Sequence, residues 1–261
     1  MRVIVTRPER EAGQWVQRLG RHGVDAVALP LIAIAPAGDS EPLRDAWRRL
    51  MDFTALMFVS GNAVDHFFSQ KVAAGGCTEW LQPIVKTRAW AAGPATRDAL
   101  AAAGVDPALI DAPAVDASQF DSEALWHRVG DQVQPGDRVL IVRGGDSAGN
   151  VAGRNWLALQ LEAAGAQVEA VVAYVRQVPG WDARQLTRAR EAADDGSVWL
   201  FSSSEAIGNL ARLLPGQGWG RARALATHPR IAQAARTAGF GVVCESLPSV
   251  DAIGAALESI R

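Results

Sequence analysis

Small and polar residues recur at six places where a short apolar run of the sequence ends. These places are Thr6-Arg7, Ser60-Gly61-Asn62, Gly93-Pro94-Ala95-Thr96, Arg143-Gly144-Gly145, Ser202-Ser203-Ser204 and Thr227-His228. Most of them lead into a helical pattern, where free backbone N–H groups and the positive end of the helix dipole favour anions. A set of such turns suits a ligand with several carboxylates. Serine, threonine and asparagine at these positions are equally well explained as helix N-caps.

Arginine and tyrosine side chains add further candidates. Four arginines either pair with carboxylates or lie on the surface without a ligand. They are Arg7, Arg143, Arg154 and Arg176. Gly153-Arg154 is predicted to begin a helix after a glycine-rich loop. Tyr174 is the only tyrosine of the chain, and its hydroxyl either faces a cleft or belongs to a packed aromatic. We interpret His228 as a helix cap or loop residue rather than as an acid or base.

Sequence motifs of metal and nucleotide enzymes are absent. The chain has no GxxxxGK[ST] phosphate loop and no HExxH zinc motif. Neither its histidines nor its two cysteines follow metal-ligand spacing, and the cysteines are interpreted as reduced thiols. These residues are His22, His66, His127, His228, Cys77 and Cys244. We therefore expect no metal and no cofactor.

Composition limits the partners of the protein. The 261-residue chain has a formal net charge of -2, which argues against a general nucleic-acid binder because such proteins usually carry a basic excess. Its apolar runs are too short for a signal peptide or a transmembrane segment. We expect a cytoplasmic monomer that binds a small molecule and no membrane.

The elements that would position these residues follow an α/β pattern. Most predicted strands are apolar at successive positions, which is typical of parallel sheets covered on both faces. Helical stripes lie between them, and Gly104, Gly165 and Gly239 follow helical runs as predicted left-handed C-caps. The predicted strands are Val3–Val5, Leu56–Val59, Ala89–Ala91, Val139–Val142, Val168–Val172, Val198–Phe201, Ala224–Ala226 and Val242–Cys244.

An internal repeat indicates two similar lobes with a cleft between their polar strand ends. The run from Val3 to Arg7 matches that from Val139 to Arg143, and the run from Phe58 matches that from Phe201. Residues 29–36 and 171–179 are predicted to be two extended interlobe crossings. The lobes would then be 1–33 plus 177–261, which is discontinuous, and an inserted 37–172. The alternative is two consecutive lobes divided near residue 130.

The order and spacing of these motifs resemble the uroporphyrinogen-III synthase family over essentially the whole chain. The matching pieces are Val5-Thr6-Arg7-Pro8, Phe58 to Val64, Ala92 to Thr96, Asp121 to Leu125, Val142-Arg143-Gly144, Gly153-Arg154 to Leu157, Leu161, Gly165, Val168 and Tyr174-Val175-Arg176. The resemblance implies two flavodoxin-like parallel-sheet lobes, an internal duplication, joined by a two-stranded linker. It also implies a lyase of heme and tetrapyrrole biosynthesis that needs no cofactor or metal.

The activity implied by the resemblance is cyclisation of hydroxymethylbilane to uroporphyrinogen III in the interlobe cleft. Water is lost, and the last pyrrole ring is inverted through a spiro intermediate. Tyr174 would be the catalytic acid for the departing hydroxyl. The expected substrate-binding residues are Thr6, Arg7, Ser60, Asn62, Gly93, Pro94, Ala95, Thr96, Arg143, Gly144, Arg154, Ser202, Ser203, Thr227 and His228. A transient contact with hydroxymethylbilane synthase, which supplies the unstable substrate, would also fit.

One position departs from the family pattern. A turn like Gly93-Pro94-Ala95-Thr96 is expected in the discontinuous lobe, but the chain has Ala226-Thr227-His228-Pro229 there. His228 would thus replace a threonine. Two other functions stay open at this point. One is a non-catalytic, hinged two-lobe protein that binds a small molecule, and the other is a two-lobe sugar-nucleotide transferase.

Overall fold

The computed structural model describes residues 1–70, 86–114, 122–151 and 155–260. Short strands alternate with helices along this part of the chain. The strands are β1 (Val3–Val5), β2 (Ala26–Ala28), β3 (Ala33–Pro36), β4 (Ala55–Phe58), β5 (Arg88–Ala91), β6 (Ile110–Asp111), β7 (Arg138–Gly145), β8 (Gln167–Gln177), β9 (Val198–Phe201), β10 (Arg223–Ala226) and β11 (Val242–Glu245).

The helices lie between these strands. They are α1 (Glu9–Arg21), α2 (Glu41–Arg48), α3 (Gly61–Ser69), α4 (Pro94–Ala102), α5 (Ser122–Val129), α6 (Trp156–Ala163), α7 (Ala183–Glu191), α8 (Ser204–Leu213), α9 (Pro229–Thr237) and α10 (Val250–Ile260). Among the residues described, no helix combines the length and the apolar character needed to cross a bilayer.

The described chain divides into two compact units. We call Met1–Ala33 with Gln177–Arg261 the discontinuous unit, and Ile34–Arg176 the inserted unit. The discontinuous unit has a five-stranded sheet in the order β11-β10-β9-β1-β2, and all of its strand pairs are parallel. In chain order within this unit, the arrangement is 2-1-3-4-5, which is the flavodoxin-like order.

The sheet of the inserted unit has the order β3-β8-β7-β4-β5-β6. The pairs β8-β7, β7-β4, β4-β5 and β5-β6 are parallel. If β7 and β8 are read before β4, β5 and β6, these five strands repeat the order of the other sheet. The inserted unit is therefore a circularly permuted version of the same arrangement, with β3 added beside β8. The predicted α/β class with two parallel-sheet lobes is confirmed.

Each unit has its own apolar core, because its sheet is covered by helices. In the discontinuous unit, Val3 and Val5 pack with Trp15, Leu19 and residues of α10. In the inserted unit, one cluster includes Trp47, Phe58, Phe67 and Tyr174 on one face of the sheet. A second cluster there includes Met57, Trp90, Leu125 and Leu161. Side chains from successive strand residues enter opposite clusters, which accounts for the continuously apolar strand sequences.

The predicted strands are confirmed with small changes at their ends. Two strands, β7 and β8, are longer than expected, and the short strands β2 and β6 were not predicted. Gly104, Gly165 and Gly239 follow helices with φ of 90°, 89° and 92°. This left-handed conformation suits glycine and confirms the three predicted C-caps.

Candidate functional site

The carboxyl ends of three neighbouring parallel strands meet at one edge of the inserted sheet. Strand β4 leads to Ser60, β5 leads to Gly93, and β7 ends with Arg143, Gly144 and Gly145. Because these strands are parallel, the residues after them share this edge, where open α/β sheets place their ligands. The structure thus brings together the sequence-predicted residues of the inserted unit that it describes.

Tyr174 and Ser60 form a hydrogen-bonded pair at this edge. The Tyr174 hydroxyl lies 3.1 Å from Ser60 Oγ, and Tyr174 is only 4% exposed. Ser60 is also the N-cap of α3, since its Oγ accepts a hydrogen bond from the Ala63 N–H at 3.2 Å. The serine oxygen therefore connects the phenol to the positive end of a helix. Ser60 serves both as the predicted cap and as a partner of Tyr174.

A β-bulge in β8 sets the direction of Tyr174. Arg143 pairs with Val172, whereas the next residue of β7, Gly144, pairs with Tyr174. Ala173 is consequently an extra residue on β8, and such bulges redirect the side chains that follow. Gly144 is buried beneath the phenol, and a Cβ atom placed on it would lie 2.6 Å from Tyr174 Cζ. The expected role of Gly144 in substrate binding stays a prediction.

His66 is a neighbour of Tyr174 that sequence reasoning did not select. The two rings stack with centroids 5.8 Å apart and an angle of 26° between planes. His66 lies in the last turn of α3, the helix that Ser60 caps. His66 lies six residues after Ser60, which is nearly two helical turns away. The pattern of apolar residues along α3 therefore did not indicate that His66 and Ser60 share a neighbour. The contact depends on the direction in which Tyr174 leaves the bulge.

Arg143 is a buried cation at the same edge. It is 5% exposed and donates from Nη1 to Asn155 Oδ1 at 3.2 Å. Burial lowers the pKa of Arg143, and the charge of the neighbouring Arg176 lowers it further. Two guanidinium groups that are close to each other and partly shielded from water favour the binding of an anion. Asn155, at the N-cap position of α6, was not predicted as a site residue.

The sequence predicts that α6 begins at Gly153-Arg154. The described helix begins at Trp156, with Asn155 at the cap position. Asparagine before a helix is a common N-cap type, and this was the available sequence signal. Arg154 lies outside the described residues, so its expected role in substrate binding stays a prediction.

The turn after β5 presents backbone rather than side chains. Gly93 is the N-cap of α4 in an extended conformation, and Pro94 occupies the first helical position. Ala95 is exposed, whereas Thr96 is buried in the first helical turn. The positive end of the helix dipole suits an anion there, while Pro94 has no N–H and the Thr96 N–H donates to the Gly93 carbonyl at 3.1 Å. Asn62, in the first turn of α3, is half-buried.

The discontinuous unit presents a similar edge, beginning with Thr6 and Arg7 after β1. The Thr6 hydroxyl is buried and donates to the Leu200 carbonyl at 2.7 Å, so its donor is already used inside the sheet. Arg7 lies over the Trp15 ring at 4.8 Å and forms an ion pair with Glu11 at 3.5 Å. Burial lowers the pKa of Arg7, and Glu11 opposes this effect.

The turns after β9 and β10 both cap helices. Ser203 Oγ accepts from the Glu205 N–H at 3.2 Å and caps α8, and Ser202 beside it is half-buried. His228 Nδ1 accepts from the Arg230 N–H at 3.0 Å and caps α9. The interpretation of His228 as a cap is confirmed. Thr227 is half-buried between β10 and this cap.

With this geometry established, comparisons with known proteins define the family. The family model described as uroporphyrinogen-III synthase HemD matches residues 13–254, which is most of the chain. The chain belongs to the uroporphyrinogen-III synthase family. A relative named uroporphyrinogen-III synthase from Chlorobaculum parvum is 30% identical over 154 residues. That match covers 57% of this chain and spans 55% of the relative's length.

Solved structures of uroporphyrinogen-III synthases have the same fold. A crystal structure of a mutant from Thermus thermophilus has a TM-score of 0.57 and 18% identity, covering 100% of this chain and 98% of that one. The crystal structure from Helicobacter pylori has a TM-score of 0.61 and 16% identity, with 100% of both chains covered. At these identities the likeness supports the fold, and the family model carries the family assignment.

One segment of this uroporphyrinogen-III synthase family member matches a sequence motif of another enzyme class. Gly145-Asp146-Ser147-Ala148-Gly149 matches the GxSxG pattern of hydrolase nucleophiles. The nucleophile elbow places that serine on a strained strand-to-helix turn. Here Asp146 instead accepts backbone hydrogen bonds from Ala148 and Asn150. Within the described ranges no residue other than glycine has positive φ. The serine therefore lies in an ordinary surface turn.

Proposed function

We propose that this protein is a uroporphyrinogen-III synthase, which converts hydroxymethylbilane into uroporphyrinogen III. The observation that carries the proposal is the family-model match over residues 13–254. The site supports it, because a buried phenol, two neighbouring guanidiniums and several helix N-termini suit an acidic substrate with a hydroxyl leaving group. The reaction releases one water, closes the macrocycle and inverts the last pyrrole ring.

Tyr174 supplies the proton for the first step. Its hydroxyl donates the proton to the departing hydroxyl of hydroxymethylbilane, the C–O bond breaks, and water leaves with the electron pair of that bond. The pyrrole nitrogen loses its proton to solvent to give the azafulvene, and the Tyr174 phenolate takes up a proton from solvent before the next turnover. Until then Ser60 donates its own hydroxyl proton in a hydrogen bond to the Tyr174 phenolate. Since Ser60 Oγ also accepts from the Ala63 N–H, the α3 N-terminus supports the negative charge.

Regiochemistry is the harder part of the reaction, because the substrate can also close without inversion. The enzyme must place the substituted carbon of the last ring against the azafulvene carbon of the first, so that a spiro intermediate forms, fragments and recloses. A hundredfold preference for one product requires about 2.7 kcal/mol of differential transition-state stabilisation. Holding the reacting carbons in position can supply this. A second strong acid or base is therefore not required.

The carboxylates of the substrate are bound at strand ends that carry guanidinium groups or helix N-termini. In the inserted unit, a carboxylate beside Arg143 and Arg176 would relieve their mutual repulsion, which contributes to the lowered pKa of Arg143. The α4 N-terminus at Gly93 and Pro94 would accept another. In the discontinuous unit, Ser203, Thr227 and His228 begin or precede helices. The monomeric state, cytoplasmic location and contact with hydroxymethylbilane synthase stay predictions.

The first experiment is an isomer analysis. Hydroxymethylbilane made freshly by a deaminase is added to the protein, and the oxidised uroporphyrins are separated by chromatography. We expect isomer III to predominate, with isomer I alone in the enzyme-free control. Isomer I alone, at the spontaneous rate, would contradict the proposal and favour the non-catalytic binding protein.

A further inference from the structure

Gly144 of β7 and Tyr174 of β8 are paired residues, and the Tyr174 ring fills the space that a side chain at residue 144 would occupy. A Cβ atom on Gly144 would lie 2.6 Å from Tyr174 Cζ, 2.8 Å from Cε2 and 2.9 Å from the hydroxyl oxygen. Real Cβ atoms essentially never have contacts below 3.0 Å, so the ring would have to move. The ring atoms nearest to Gly144 carry the hydroxyl that reaches Ser60. Any side chain at residue 144 would therefore displace the phenol from Ser60.

The bulge and the glycine depend on each other. If β8 continued in regular register after Val172, Ala173 would pair with Gly144 and Tyr174 with Gly145, and the phenol would project from the opposite face of the sheet, because strand side chains alternate. The bulge brings Tyr174 opposite Gly144, and the missing side chain of Gly144 lets the ring lie across β7. Both features are needed to place the hydroxyl within 3.1 Å of Ser60 Oγ.

We propose that Gly144 is a positioning residue that acts through Tyr174. Because Gly144 has no side chain, the Tyr174 ring packs directly against the backbone of β7. In this position its hydroxyl stays within hydrogen-bond distance of Ser60 Oγ. The inference rests on the proposed function for its catalytic consequence, whereas its structural part stands independently. Gly144 need not touch the substrate, and an alanine there would impair proton donation more than substrate binding.

The test compares Gly144→Ala with the matched variant Gly145→Ala. A Cβ on Gly145 would also be crowded, but at 2.8 Å from Val172 Cγ1 and not by Tyr174. Because Tyr174 is the only tyrosine, protein labelled with [13Cζ]-tyrosine gives a single NMR signal. We expect this signal to move in Gly144→Ala and to stay in Gly145→Ala. In Gly144→Ala, kcat should fall by at least about tenfold with KM nearly unchanged.

A second background keeps the test decisive if Gly144→Ala does not fold. In a Tyr174→Ala protein the crowding is gone, so Gly144→Ala should lower the thermal unfolding midpoint much less than in the wild type. Equal destabilisation in both backgrounds, or an unmoved tyrosine signal, would overturn the proposal, as would unchanged kcat in an active enzyme. If the wild type forms only isomer I, the proposed function fails, while the NMR and unfolding results still decide the role of Gly144.

Discussion

Ser60 shows how one side chain can serve two neighbours at the candidate site. Its oxygen accepts the Ala63 N–H that α3 leaves unbonded, and it meets the Tyr174 hydroxyl at 3.1 Å. Its removal should therefore have two separable effects. One is the loss of a helix cap, which affects stability, and the other is the loss of a partner for the phenolate, which affects turnover.

We expect Ser60→Ala to lower the free energy of unfolding by about 1 kcal/mol, as is usual for a lost N-cap. Turnover should fall by roughly tenfold to a hundredfold, because a hydrogen bond to a charged oxygen contributes about 1.5–3 kcal/mol. Ser60→Thr retains a hydroxyl and should recover most of both. Thermal unfolding and isomer-III formation measure the two effects.

Asp182→Ala is the matched control for the cap. Asp182 caps α7 by accepting the Gln185 N–H at 2.8 Å, and it belongs to no predicted site. This variant should lose a similar amount of stability and retain turnover. If it lost turnover to the same extent as Ser60→Ala, the effect of Ser60 would be one of stability alone.

Sequence patterns identified residue types at the site better than residue roles. The turn at Ser60 was predicted because a polar, cap-forming residue follows an apolar run. The role of Thr6 was not predictable, since its hydroxyl donates to the Leu200 carbonyl, 194 residues away in the sequence. The contact between His66 and Tyr174 was equally hidden, because it depends on a bulge that leaves no mark in residue type.

Strand β8 is tied to its surroundings at the end opposite the candidate site. Glu169 accepts from Arg49 Nη2 at 3.0 Å and from Arg138 Nη2 at 2.7 Å. Arg49 follows α2 and Arg138 begins β7, so one carboxylate links three elements. The hydrogen bond from Arg49 is the main cause that lowers the pKa of Glu169, and Arg138 adds to it.

This linkage predicts a pH-dependent contribution to stability. At neutral pH, Glu169→Gln should lower the free energy of unfolding by at most about 1 kcal/mol, since the carboxylate is 37% exposed and screened by solvent. The folded-state pKa is below the unfolded one, so the contribution is present above the unfolded value. It is lost as pH falls through the folded value.

Denaturant unfolding of both proteins between neutral and acidic pH measures the difference. The gap should close as the pH falls, and Glu258→Gln, at an exposed position of α10, should leave stability nearly unchanged throughout. If the two proteins still differed in free energy of unfolding below the folded-state pKa of Glu169, the packing of the side chain and not its charge would be responsible.

Element existence was more predictable than element length. Continuous apolar runs such as Val198 to Phe201 marked buried parallel strands, and Gly165 marked a helix end. The strand Ile110–Asp111 was not predicted because two residues give no periodicity. Strand β8 was only partly predicted, since its residues after Val172 resembled a connecting segment rather than part of a sheet.

The two units have separate cores, although the chain passes between them twice. Among the described residues, one core cluster is made only of residues of the discontinuous unit, and two further clusters belong wholly to the inserted unit. The inserted unit is also continuous in sequence. It therefore has the properties of a domain that can fold by itself.

We expect a protein of residues 34–176 to unfold in one cooperative transition, followed by far-ultraviolet circular dichroism. A protein of residues 1–130, divided at the alternative boundary, should show no such transition. That division separates β7 and β8 from β4, the central pairing of the inserted sheet. A cooperative 1–130 protein together with an unfolded 34–176 protein would reverse the domain assignment.

The insertion also determines the order in which strands can pair while the chain is synthesised on the ribosome. Val3 pairs with Ala26, which is made almost at once, and with Val198, which follows only after the whole inserted unit. At roughly 5–20 residues per second, the first strand waits about 10–40 s for its second neighbour. The unit that is begun first is thus completed last. During this interval β1, whose side chains are buried in the folded protein, lacks its second partner strand and depends on chaperones for protection.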